Sequence, residues 1–234
     1  MSRSHAQQWT IVREIERPPA ASVAALAHFA TTQIADCGGP VGVVGPGLAR
    51  IAGGAEFCGP AVTVWTRPGD ILFLLKAPEV TTTGDVVCVD GGGRADAAIL
   101  GDIMAGALAA RGVVGIVVDG AVRDLAGIDA VGVPTFARNA YPATGSGEGP
   151  GAINVPVQLG GVAVHPGDVL RGDDSGVVVV PREHLDAVLA LTRAVADREA
   201  AWRRAIADGA DLAAATGADA LLGGRRTTTA HPLP

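Results

Sequence analysis

Three residues have the types and spacing to handle a small acid: Asp102, Arg123 and Asp124. Arginine presents a planar fork that matches a carboxylate with two parallel hydrogen bonds. The adjacent Asp124 offers oxygen to a hard divalent cation such as Mg2+, which takes one or two carboxylates and keeps several waters. A 2-oxo acid shows both a carboxylate and a ketone to such a pair. The arginine would hold the carboxylate, while the metal would polarise the ketone and stabilise an enolate as a carbon–carbon bond breaks. On spacing alone, an Arg–Asp pair on a surface turn is the competing reading.

Gly101-Asp102 sets a second condition. If a helix begins here, the backbone N–H groups of residues 101–104 face a cleft, and a helix N-terminus is an anion site. Gly101 removes the Cβ that would block close approach. The rival is one helix running from 94 to 111, which would put Asp102 at the border of its apolar face. That placement is costly without a partner. Lys76 is the only lysine in the chain, and it lies outside this region. An imine-forming mechanism needs a reactive lysine, so carbon–carbon lyase chemistry here would be metal-dependent.

These residues need a scaffold, and the stretch from Asp85 to Asp124 supplies one. An apolar run at 86–89 is followed by Gly91, Gly92 and Gly93, an alanine-rich helix ending near Arg111-Gly112, and a second apolar run at 115–118. Strand, helix, strand is a parallel crossover unit, and ligands sit beyond the carboxyl ends of such strands. Around it, Ser22 is read as capping a helix from Val23 to about Ala35, with a glycine-rich loop after it from Cys37 to Gly47. A strand is expected over 57–66, a short helix over 125–131 and a third strand over 135–138. Short strands are expected at 153–157, 162–165, 169–170 and 177–180, the last of them central because it is apolar on both faces. A long helix follows Pro181, reaching about Asp208 with Gly209 as its cap. Besides Gly101-Asp102, Gly-Asp followed by an apolar residue stands at 69–71, 84–86 and 167–169. Turns with the aspartate bonding its own loop explain this better than three carboxylates gathering at a metal. The polar loop 139–151, with Tyr141 and Glu148, is long enough to be functional.

Composition narrows the class. The chain has 234 residues, is 48% hydrophobic but 3% aromatic, and carries a formal charge of −6. Its core must be built of Val, Ala, Leu and Ile. Phosphate binding needs a basic face, so no nucleic-acid partner is expected. No signal peptide is evident and no apolar run approaches the ~18 residues that span a bilayer, so a cytoplasmic protein without a membrane contact is expected. Cys37, Cys58 and Cys88 have no paired spacing and read as buried thiols.

The stretches GDIMAGALAARGVVGIVVDGAVRD (101–124) and HPGDVLRGDDSGVVVVP (165–181) resemble the RraA-like family. The resemblance covers roughly residues 20–182. It is most specific at Asp102, twenty intervening residues, then Arg123-Asp124. The family includes class II 4-hydroxy-4-methyl-2-oxoglutarate and 4-carboxy-4-hydroxy-2-oxoadipate aldolases and the ribonuclease E inhibitor RraA. Some members were once labelled demethylmenaquinone methyltransferases, but no sequence feature of an S-adenosylmethionine site is found here.

The resemblance implies an α/β fold of the swivelling β/β/α type with a C-terminal helical extension. It divides the chain into a domain over 1–181, helices over 182–223 that pack on the domain or a neighbouring subunit, and a tail over 224–234. It implies homotrimers or hexamers, a 2-oxo acid substrate, pyruvate release and possible oxaloacetate decarboxylation. Gly101, Asp102, Ile103, Met104 and Arg123 would bind the pyruvyl carboxylate. Asp124 would ligate Mg2+ or Mn2+, Asp102 would reach the ion through water, and Glu199 of a neighbouring subunit would approach it. A non-catalytic regulator that binds a ribonuclease is the alternative. One position departs from the aldolase pattern: a longer form of the motif is acidic three residues after Asp124, where this chain has Gly127, with Asp129 out of register. The extended C-terminal helix resembles the aldolases more than the shorter regulators.

Overall fold

A computed structural model describes residues 9–223. They divide into two compact units, one up to Thr192 and one from Arg193. In the first, the strands are β1 (Trp9–Ile11), β2 (Gly42–Val43), β3 (Ala49–Ala52), β4 (Phe57–Thr66), β5 (Val86–Asp90), β6 (Ala98–Leu100), β7 (Gly115–Val122), β8 (Thr135–Ala140), β9 (Gly151–Ile153), β10 (Val157–Leu159), β11 (Val162–Val164), β12 (Val169–Asp173) and β13 (Gly176–Val180). Between them lie helices α1 (Ala20–Leu26), α2 (Thr31–Ala35), α3 (Asp102–Ala109) and α4 (Leu125–Val131). Helix α5 (Leu185–Ala207) starts in the first unit and runs into the second, which also holds α6 (Leu212–Thr216) and α7 (Ala218–Gly223). The expected tail over 224–234 lies outside the described residues.

The sheet runs β2-β13-β12-β4-β5-β7-β8-β3. Its centre, β4-β5-β7-β8, is parallel, and its arms are antiparallel. The crossover from β5 to β7 is the unit read from the sequence. Because side chains alternate along a strand, Val87, Val89, Ile116 and Val118 pack on one face, under α3 and α4, while Val86, Cys88 and Val117 pack on the other, with Leu159, Val164 and Leu170. Burial on both faces is what makes these strands read as unbroken apolar runs. Inside the sheet Phe57 packs against Phe136, edge to face at 5.3 Å. The three thiols are free. Burial pushes Cys58 up to about 12 and raises Cys88 as well, so neither is a nucleophile at neutral pH.

The Gly-Asp turns form as expected. Gly69, Gly84 and Gly167 all have positive φ. Asp70 accepts the Leu72 N–H, Asp85 the Thr82 N–H and Asp168 the His165 N–H. Several expectations fail. No strand spans 153–157, because residues 154–156 separate β9 from β10. The helix expected from Val23 to Ala35 is broken into α1 and α2, because the chain at Ala30 is extended and the second helix is restarted from elsewhere in the fold. The Thr31 N–H (2.8 Å) and hydroxyl (2.7 Å) both donate to Asp173. Ser22 caps nothing: the cap position is Pro19, and the Ser22 hydroxyl donates to Asp186. Strand β13 is buried on both faces, yet only the two-residue β2 lies beyond it, so it is not central. Its burial comes from α2 and the second core face instead.

Candidate active site

The chain brings Gly101-Asp102 and Arg123-Asp124 together by a backbone tie. Strand β6 pairs with the end of β7, and the Arg123 N–H donates to Leu100 O at 2.9 Å. Each strand then turns directly into a helix, β6 into α3 through an extended Gly101 and β7 into α4 through Asp124. The 94–111 helix is therefore excluded: residues 98–100 are extended, and the Ala98 N–H is taken by Ala143 O. Asp102 becomes the first residue of α3, where a negative charge is favoured.

Asp124 has φ 58° and ψ 42°. This left-handed conformation is uncommon outside glycine and is tolerated best by Asp and Asn. It turns the chain sharply enough to leave both Arg123 and Asp124 at the mouth of β7. Arg123 Nε lies 3.3 Å from Asp124 Oδ2, with both side chains about two-fifths exposed. The Asp102 carboxylate accepts the Ile103 N–H at 2.7 Å, so one of the helix-terminal donors expected to face a ligand is already engaged.

A cavity of about 200 Å3 opens here. Gly101, Asp102, Ile103, Met104, Arg123 and Asp124 all line it. The remaining wall is largely apolar, from Ile71 and Leu75 on one side and Ala98 to Leu100 on the other, with Thr144 from the long loop. A second cavity, about 280 Å3, lies on the far side of Arg123-Asp124 against Leu125 and Tyr141. The loop 139–151 thus reaches the site through Thr144 and Tyr141. Glu148 does not line either cavity; it lies 3.8 Å from Arg67. Lys76 does not line them either and pairs with Glu79. Glu199 belongs to the second unit, where Arg203 donates to it at 2.8 Å along α5.

The donor chemistry suits a hard cation. Two carboxylates, those of Asp102 and Asp124, border one cavity, and a hydrated Mg2+ or Mn2+ needs no more. Among the described residues no three His, Cys, Asp or Glu side chains gather, so a fully caged or soft-metal centre does not fit. The cavity wall supplied by Ile71 and Leu75 was not read from the sequence, since nothing local ties that apolar run to Arg123, whereas Thr144 belongs to the loop 139–151 already read as functional.

A family model described as RraA-like, aldolase/RraA, matches residues 31–179. A protein of Halalkalibacterium halodurans named "Putative 4-hydroxy-4-methyl-2-oxoglutarate aldolase" is 40% identical over 153 residues, 65% of this chain and 73% of that one. Among solved structures, an uncharacterized protein from Pseudomonas syringae pv. tomato is similar with a TM-score of 0.75 and 28% identity, covering 86% of this chain and 99% of the other. A Streptomyces coelicolor member of the RNase ES inhibitor RraA family is similar with a TM-score of 0.68 and 30% identity, covering 76% and 92%.

Proposed function

The chain belongs to the RraA-like family, and from that premise we propose that it is a divalent-metal-dependent lyase releasing pyruvate from a 4-hydroxy-2-oxo acid, with oxaloacetate decarboxylation through the same enolate. The observation that carries this reading is the convergence of Asp102, Arg123 and Asp124 in one apolar-walled cavity beyond the carboxyl ends of β6 and β7. The aldolase name carried by its relative points the same way.

Arg123 binds the substrate carboxylate as a fork, assisted by the N-terminus of α3. Asp124 would hold Mg2+ or Mn2+, with Asp102 beside it and Glu199 of a neighbouring copy completing the set in a trimer or hexamer. Held there, such an ion would supply a Lewis acid for the charge left on the ketone oxygen as the bond between C3 and C4 breaks. The C4 hydroxyl proton leaves as that bond breaks, and a proton returns to C3 to give pyruvate. Asp102, which borders the cavity, moves these protons through a water. Ile71, Leu75, Ile99 and Met104 limit the water that would otherwise compete for the charges.

The test is pyruvate release from 4-hydroxy-4-methyl-2-oxoglutarate and from oxaloacetate, with Mg2+ and then with EDTA. EDTA-sensitive release is expected, with Arg123→Ala raising KM and lowering kcat. No release from either substrate, with metal present, would favour the second reading, a regulator that binds a ribonuclease, for which the description of the S. coelicolor relative speaks.

A further inference from the structure

Gly127 lies in the first turn of α4, three residues beyond Asp124, and α4 packs against α3. A Cβ placed on Gly127 would fall 2.5 Å from Asp102 Cβ, 2.9 Å from its Cγ and 2.6 Å from its Oδ2. Carbon atoms in van der Waals contact prefer roughly 3.5–4.0 Å. The obstacle is not the tip of a flexible chain. Asp102 Cβ is bonded to the backbone, so no side-chain rotation moves it aside, and relief would need α3 or α4 to shift. The neighbouring glycine does the converse: a Cβ on Gly101 would fall 2.6 Å from Asp124 Oδ2 and 3.3 Å from Arg123 Cγ. Neither glycine has positive φ, so backbone conformation does not require glycine at either place. A glycine inside a helix costs about 1 kcal/mol relative to alanine, and at Gly127 what offsets that cost is room for Asp102.

We propose that Gly127 is a positioning residue, the seat that lets Asp102 stand at the cavity shared with Asp124. This rests on the metal-dependent reading above. Its consequence is specific: an acidic side chain added at Gly127 would not supply a further ligand but would displace Asp102.

The test uses the full chain with Gly127→Ala, Gly127→Glu, Asp102→Gly and Gly127→Ala combined with Asp102→Gly. Mn2+ binding is followed by the electron paramagnetic resonance of the free ion, alongside thermal unfolding and pyruvate release. Gly127→Ala is expected to weaken Mn2+ binding at least tenfold with the circular dichroism unchanged, and Gly127→Glu to do no better. In the Asp102→Gly background, the alanine should cost no further affinity and should raise the melting temperature. Binding and turnover within twofold of wild type in Gly127→Ala would overturn the proposal, as would a gain of affinity or activity in Gly127→Glu. If Gly127→Ala alone does not fold, recovery of folding in the double variant supports the seat and failure to recover overturns it. If the wild type binds no Mn2+, the metal-dependent reading falls, and the sign of the alanine's effect on melting in the two backgrounds alone decides the seat.

Discussion

Asp124 carries two demands at once: a carboxylate at the cavity and a left-handed backbone that turns β7 into α4. An alanine there would lose the ligand and also pay about 1 kcal/mol for the conformation, whereas glycine adopts it freely and asparagine tolerates it. Asp124→Ala, Asp124→Gly and Asp124→Asn should therefore all lose metal-dependent turnover. In urea unfolding, however, the alanine variant should be the least stable, by about 1 kcal/mol against glycine. An alanine variant as stable as the other two would mean that the turn is not strained. At this scale much of the candidate site was legible, because Arg123-Asp124 follows the apolar run from 115 and Gly101-Asp102 reads as a helix start; strand β6, which ends just before Gly101, was not. The seat of Asp102 against Gly127 was not legible: Gly127 looked like a missing acid. The contact exists only because α3 and α4 cross at that point.

Among the elements, one buried carboxylate ties the cavity wall to the long loop. Asp70 is fully buried and accepts hydrogen bonds from the Ser146 hydroxyl (2.7 Å) and from the N–H groups of Leu72 (2.9 Å), Glu148 (2.8 Å) and Gly149 (3.0 Å), with Arg67 at 3.3 Å. Burial alone would raise its pKa; the donors from Ser146, Leu72, Glu148 and Gly149 outweigh that and hold it below the usual carboxylate value. A depressed folded-state pKa contributes stability that is present above the unfolded value, about 3.9, and is lost as pH falls through the folded one. Asp70→Asn should cost about 2–3 kcal/mol at neutral pH, and the gap to wild type should close below about pH 4. Denaturant midpoints measured from pH 7 to pH 3 would show it; a constant gap would remove Asp70 from the acid response. Because Asp70 holds Leu72, next to Ile71, and Ser146, two residues from Thr144, the variant should also raise KM. The Gly-Asp turns were legible since each aspartate bonds within its own turn. The break between α1 and α2 was not, since the carboxylate that accepts the Thr31 N–H at the start of α2 is that of Asp173, 142 residues away in the chain.

Across the whole molecule, the proposed metal-binding carboxylates are split between the two units: Asp102 and Asp124 in the first and Glu199 in the second. A metal that binds only the folded protein stabilises it by RT ln(1 + [L]/Kd), about 2.7 kcal/mol at a hundredfold excess over Kd. The rise in melting temperature with Mn2+ thus reads the site without reference to any substrate. Asp124→Asn should abolish that rise. Glu199→Gln removes one outer ligand; a tenfold loss of affinity would leave about 1.4 kcal/mol at the same Mn2+ concentration, roughly half the shift. Since Glu199 is already engaged by Arg203 along its own helix, reaching a metal would require it to share or leave that partner, so Arg203→Ala should not diminish the shift. If Glu199→Gln keeps the full effect of Mn2+ while Asp124→Asn loses it, the ion is held by the first unit alone. A neighbouring copy would then have no part in the metal site, and any assembly of this chain would have to serve another purpose.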